Sequence, residues 1–264
     1  MCLIGIAWQA HPDFPLIVAA NRDEFHARPT APSAWWPDAP HLLAGRDLQS
    51  GGAWMGITRN GRFAALTNVR DPGTQLTQAP TRGALVADFL CGDASPARYA
   101  AGLATPSVHY NGFNLLAGTP AQLMVTGNRG AAAQALPPGI YGLSNALLDT
   151  PWPKVTALKT ALGAALDGMV AEGPLQSRVS GMLAALFFAL GNAQPAPDAQ
   201  LPDTGVPLER ERALSAALII APVYGTRAST VLCVAHDGTA IWEERSITPE
   251  GRVAHTVREQ FQLA

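Results

Sequence analysis

Met1-Cys2-Leu3-Ile4-Gly5-Ile6-Ala7-Trp8-Gln9 reads as a β-strand that begins almost at the first residue. Chain termini are usually loose and polar, whereas this one is apolar. His11-Pro12-Asp13 makes a turn, and residues 15–20 (PLIVAA) form a second apolar strand, close enough to pair with the first as a hairpin. The second strand runs straight into Asn21-Arg22-Asp23-Glu24. Polar residues at the end of a buried strand belong at the rim of a core, where sites are built. Two arms joined by a short turn bring Arg22 close to Cys2.

Working outward, residues 51–58 (GGAWMGIT) read as a strand, Asn60-Gly61 as a hairpin turn and residues 62–68 (RFAALTN) as the return strand. The proline-rich stretch 28–43, with Trp35-Trp36, reads as a loop that covers something. Thr81 caps a helix over 82–91 that Gly92 ends, with Leu85, Val86, Phe89 and Leu90 on one face. Ser95-Pro96 opens another short helix. Residues 111–118 and 122–126 form a strand pair, and 141–145 a short strand. Helices follow at 153–169 and 175–190, the second deeply buried. Residues 192–208 are a polar, proline-rich loop and the one candidate linker. Strands return at 213–221, 228–235, 239–246 and 252–262. Strands grouped apart from helices argue for an α+β class rather than alternating βαβ units. Two stacked sheets with helices outside fit this order in a single domain, 1–264.

Composition bounds the function. The chain has 264 residues, 48% hydrophobic and 14% charged, with a net charge of −2. Such a chain supports a large core, and without a basic block it suggests neither nucleic acid nor an anionic membrane as partner. Cys2, Cys91 and Cys233 are widely spaced and form no CxxC, against a disulfide framework or structural zinc. The six histidines are scattered, with only His26 near the polar run. No metal or cofactor is expected. The N-terminus lacks the layout of a secretory signal, and the longest apolar run is too short for a bilayer. The expectation is a cytoplasmic protein without stable membrane insertion.

Several residues can carry chemistry. Free cysteine is most often a small buried hydrophobe. Once Met1 is removed, however, Cys2 carries a thiol and, on the same residue, an amine that titrates near ~7.7–8.0 and can serve as its base. Arg22 can raise the thiolate fraction. Asp23 or Glu24 can orient the amine, and strand alternation lets only one of the two face the site. The competing reading of the run is a solvated edge with local ion pairs. Asn68 and Asn145 can supply uncharged oxyanion donors, or simply form turns. Arg227, in the polar stretch Tyr224-Gly225-Thr226-Arg227, can bind a substrate carboxylate or salt-bridge to the acidic pair.

Taken together these stretches resemble the NRDE family, named for Asn21-Arg22-Asp23-Glu24 as it stands here and also called the transport and Golgi organisation family. Met1-Cys2, Gly51-Gly52-Ala53-Trp54, Leu66-Thr67-Asn68-Val69-Arg70, Asn111-Gly112-Phe113-Asn114-Leu115, Gly142-Leu143-Ser144-Asn145, Pro151-Trp152-Pro153-Lys154 and Tyr224-Gly225-Thr226-Arg227 match further family blocks. That family resembles N-terminal nucleophile hydrolases, in particular the choloylglycine hydrolase and penicillin V acylase type. The resemblance implies a four-layer αββα sandwich and a hydrolase of non-peptide amide bonds. It makes Cys2 the nucleophile, Arg22 the arginine near the thiol and Asp23 the carboxylate that holds the amine. Asn68 and Asn145 become the oxyanion and positioning amides, and Arg227 the late arginine. One departure stands out. In those acylases the carboxylate lies three residues after the arginine, whereas here Asp23 and Glu24 lie one and two after it. Some eukaryotic members are associated with secretory-pathway organisation, haem trafficking and mitochondrial lipid metabolism. This leaves a non-catalytic carrier of haem or an acylated lipid as the alternative to an enzyme acting on a small amide.

Overall fold

A computed structural model describes residues 2–104, 109–130, 133–169 and 173–264. Met1, and with it the question of its removal, lies outside them. The chain opens with β1 (Cys2–Trp8), β2 (Leu16–Phe25), β3 (Thr30–Trp36), β4 (Ala39–Asp47), β5 (Met55–Thr58) and β6 (Phe63–Asn68). Helices α1 (Gly83–Cys91) and α2 (Pro96–Ala104) precede β7 (Phe113–Thr119), β8 (Gln122–Gly127), β9 (Gln134–Ala135) and β10 (Gly139–Leu143). Then come α3 (Pro153–Asp167), α4 (Leu175–Leu190) and α5 (Leu208–Ser215), and last β11 (Tyr224–Val234), β12 (Thr239–Ile247) and β13 (Val253–Gln262).

The strands form two antiparallel sheets. One has the order β10-β1-β2-β11-β12-β13, the other β3-β4-β5-β6-β7-β8-β9. The first hairpin pairs as the sequence suggests, with Cys2 opposite Arg22 and Trp8 opposite Leu16. Its pleat sorts side chains into two cores. Leu3, Ile17 and Ala19 pack with Leu158, Leu162 and Leu186 of α3 and α4. Ile4, Ile6 and Val18 pack with Met55, Phe63 and Leu116 of the second sheet. A third core joins the outer face of that sheet, through Leu42, Ala64 and Phe113, to Leu85 and Phe89 of α1. Helix, sheet, sheet and helix are thus stacked, the expected αββα arrangement. Because β1 is covered on both faces, every one of its residues is buried. Gly5 marks the closest approach of α3. A Cβ there would lie 2.9 Å from Leu158 Cγ, so α3 can rest on β1 only where the strand has no side chain. No described helix is long and apolar enough to cross a membrane.

Two expectations fail. Residues 28–43 are not a loop but carry β3 and much of β4. Pro32 is tolerated because β3 is an edge strand and the residue falls at a register shift between Ala31 and Ala34. Residues 213–221 are not a strand. Ala213 and Leu214 belong to α5, which starts directly after Pro207 with Glu209 and Glu211 in its first turn. Between α5 and β11 the chain makes only an isolated bridge, Ile220 to Gly225. Its carbonyls are satisfied otherwise: Asn21 Nδ2 donates to Ala217 O at 2.8 Å, and Thr226 N to Ile219 O at 2.9 Å.

Candidate active site

Strand alternation decides what surrounds Cys2. Residues 2, 4, 6 and 8 of β1 share the face turned to the second sheet, and Arg22 and Glu24 of β2 share it with them. At the rim, where the apolar layer ends, this face opens into a cavity of about 450 Å³. Cys2, Arg22, Trp54, Asn68, Arg82 and Asn111 are among its walls, which are mainly polar. The Arg22 guanidinium lies 4.4 Å from the centre of the Trp54 ring and donates to Thr30 Oγ1 at 3.2 Å. Its second nitrogen stands 3.9 Å from Glu24 Oε2. A buried cation on an aromatic face is held by about 2 kcal/mol, so Arg22 is fixed beside the thiol. Burial pushes the Cys2 thiol above its ordinary range, with Asp23 adding to the rise and Arg22 opposing it.

Gly51-Gly52-Ala53-Trp54 explains how Trp54 and the opposite wall meet. Ala53 N donates to Gly83 O at 3.2 Å, where α1 begins. A Cβ on Gly52 would lie 2.5 Å from the Gly83 carbonyl carbon. Glycine at 52 therefore lets the Thr81-Arg82-Gly83 corner close over the cavity. Arg82 Nη1 donates to Gly112 O at 3.0 Å. No carboxylate among the described residues lies within ion-pair distance of it.

Asn21 and Asp23 turn their side chains the other way, into the helix layer, although Asp23 also borders the cavity. Asn21 Nδ2 donates to Leu190 O at 2.9 Å, and its Oδ1 accepts from Ser229 Oγ at 2.6 Å. Asp23 is 1% exposed. Its Oδ1 accepts from Thr226 Oγ1 at 2.7 Å, and its main-chain oxygen accepts from the Tyr224 hydroxyl at 2.9 Å. Burial raises the Asp23 carboxyl above the usual carboxylate range, and Lys154 is the foremost charge opposing that rise. Of the adjacent acidic pair, then, Glu24 shares the face of the thiol and Asp23 lies beneath the sheet.

Asn68 ends β6 and borders the cavity. Among the described residues nothing hydrogen-bonds its carboxamide, which leaves the amide available to a ligand. Asn145 acts one step back. Its Nδ2 donates to Asn68 O at 2.9 Å, and its main-chain oxygen accepts from Arg70 N at 2.8 Å. Ser144 Oγ donates to Cys2 O at 3.0 Å. This segment therefore ties Cys2 and Asn68 together without Asn145 bordering the cavity. Arg227 is not brought to the thiol. Its Nη1 donates to the carbonyls of Phe25, His26 and Arg28 at 3.0, 3.1 and 3.2 Å, closing the turn after β2. His26 Nε2 is spent on Ala221 O at 2.9 Å.

The sequence reading gave no role to Lys154 or Arg82. Both lie in quoted or helix-starting segments, but a lysine or arginine at a helix start ordinarily points to water, and only the fold reveals the burial of Lys154. Among the described residues no three His, Cys, Asp or Glu side chains gather as a metal ion would need. What the cavity combines is a thiol, a cation fixed beside it and an uncharged amide donor. These are the parts needed for nucleophilic attack on a carbonyl.

The family model for transport and Golgi organisation 2 matches residues 1–249. The Bos taurus transport and Golgi organization protein 2 homolog is 36% identical over 267 residues, covering 94% of this chain and 93% of that protein. The Homo sapiens homolog is 36% identical over 269 residues with the same coverage. Among solved structures, the Caenorhabditis elegans ortholog of N-acylethanolamine-hydrolyzing acid amidase is 12% identical, with 88% of this chain and 92% of that chain covered at a TM-score of 0.47.

Proposed function

This chain belongs to the transport and Golgi organisation 2 family, and we propose that it is a hydrolase of small polar amides whose nucleophile is Cys2, acting once Met1 has been removed. The observation that carries the reading is the register of the first hairpin: Cys2 lies directly opposite Arg22, on the wall of a polar cavity that Asn68 also borders. In the proposed reaction the Sγ proton passes to the Cys2 α-amine. The thiolate forms a bond to the substrate carbonyl carbon, and the displaced electron pair settles on the carbonyl oxygen, towards the Asn68 amide. Collapse of this intermediate breaks the C–N bond, and the leaving amine takes the proton from the α-amine. Water then cleaves the thioester and releases the acid. Arg22 favours the thiolate, and Asp23 orients the amine from beneath the sheet.

The test starts with the intact mass of the purified protein, which reports whether Met1 is absent. Protein lacking Met1 is then offered an amide library, with acyl-enzyme on Cys2 read by mass. Cys2→Ala is expected to lower turnover of any substrate found by more than about a thousandfold, with an unchanged circular dichroism spectrum. Full turnover by Cys2→Ala overturns the mechanism. Saturable haem binding by that variant, followed at the Soret band, would favour a carrier instead.

A further inference from the structure

Lys154 occupies a place that a lysine ordinarily avoids. It is the second residue of α3, where the helix macrodipole already presents positive charge. It is 4% exposed, and its Nζ has no hydrogen-bond partner among the described residues. Burial, helix polarity and a missing acceptor all work against its charge. One turn further along α3, Leu158 rests on Gly5 of β1, so Lys154 lies under the sheet towards the start of that strand. The groups around it come from four elements: Cys2 on β1, Asp23 on β2, Arg70 after β6 and Glu211 on α5. Arg70 and Glu211 are engaged with each other, in a buried ion pair of 2.6 Å. Arg70 also lies 4.8 Å from the centre of the Trp152 ring, which fixes the entry to α3. The other two are Asp23, whose Oδ1 accepts from Thr226 Oγ1, and Cys2.

We propose that Lys154 is a positioning residue: a cation held beneath the sheet that counters the field of the Asp23 carboxylate at the Cys2 thiol and so increases the thiolate fraction near neutral pH. The proposal rests on the reading of Cys2 as a nucleophile, but not on any substrate. Burial pulls the lysine down to about 8, against the pull of Asp23. Lys154 thus carries its charge at pH 7 and has lost it by pH 9 to 10. Its influence on the thiol has the same limits.

The experiment is alkylation of Cys2 by iodoacetamide, followed by mass spectrometry in a Cys91→Ala background, because Cys91 is exposed. Lys154→Met is expected to react roughly three- to tenfold more slowly than its parent at pH 7, and the two rates should converge above pH 9. Lys154→Arg, which keeps the charge, should match the parent at pH 7. Equal rates for Lys154→Met and the parent at pH 7 overturn the proposal, as does a deficit of the same size at every pH. If Lys154→Met does not fold, Lys154→Gln is the second neutral variant. If neither neutral variant folds while Lys154→Arg does, the charge serves the fold and the proposal is likewise overturned. Alkylation needs no turnover, so an absence of hydrolase activity leaves this result standing on its own.

Discussion

Asn21-Arg22-Asp23-Glu24 is one run of polar residues that faces two ways. Arg22 and Glu24 look into an open cavity, with a thiol and an aromatic ring as neighbours. Asn21 and Asp23 look into the closed helix layer, where Leu190, Ala217, Ser229 and Thr226 meet their polar atoms. The first pair has neighbours that a ligand could replace. The second has partners that only the folded chain provides. A strand places such different demands on consecutive residues because its pleat alternates them, so a contiguous motif need not be a contiguous site. Half of this one builds the support on which the other half stands.

The comparison can be broken most directly at Asn21. Asn21→Leu leaves the Leu190 and Ala217 carbonyls and the Ser229 hydroxyl without their buried partner. It should cost about 3–5 kcal/mol in urea unfolding. A loss below about 1 kcal/mol would remove the distinction between the two faces. Next in size is the pH dependence of stability set by Lys154. Its pKa falls from 10.5 in the unfolded chain to about 8 in the fold. The unfolded state therefore binds more protons between these values, and stability rises with pH across that window. Relative to Lys154→Met, the wild type should gain on the order of 3 kcal/mol from pH 8 to pH 10.5. Parallel stability curves would mean that the lysine is not sealed beneath the sheet. The smallest effect sharpens the contrast between two arginines. Arg227→Ala should cost about 1 kcal/mol through its lost carbonyl contacts, with the rate of Cys2 alkylation at pH 7 unchanged. Slower alkylation would place Arg227 with the cavity after all.

The hairpin that brings Arg22 to Cys2 was legible because two apolar runs of matching length flank a short turn. The edge strand β3 was not, since Pro32 and the paired tryptophans look like loop chemistry until a register shift absorbs them. Helix α5 was hidden for a different reason. Glu209 to Arg212 is charged and follows a proline-rich segment, and what holds it is tertiary: Glu211 reaches Arg70 across 141 residues of chain. Arg227 was overread, because a polar arginine between two apolar strands gives no hint whether its partners are ligands or carbonyls. Lys154 was underread, because sequence carries periodicity and propensity but no measure of how deeply a helix start is covered.

The strand order of the Cys2 sheet sets a timetable. β3 to β9 are consecutive in the chain and make up the whole of the other sheet, so its pairings are available early in synthesis. The Cys2 sheet instead inserts the first hairpin between β10 and β11, and Arg22 meets Ala228 across a separation of about two hundred residues. Until the last three strands leave the ribosome, β2 has one edge without a partner. Such distant pairings are slow to form, and an unfinished edge invites association with other chains. The nascent protein therefore carries the cavity walls, which all lie between Cys2 and Asn111, on a hairpin whose second edge stays open through most of its synthesis.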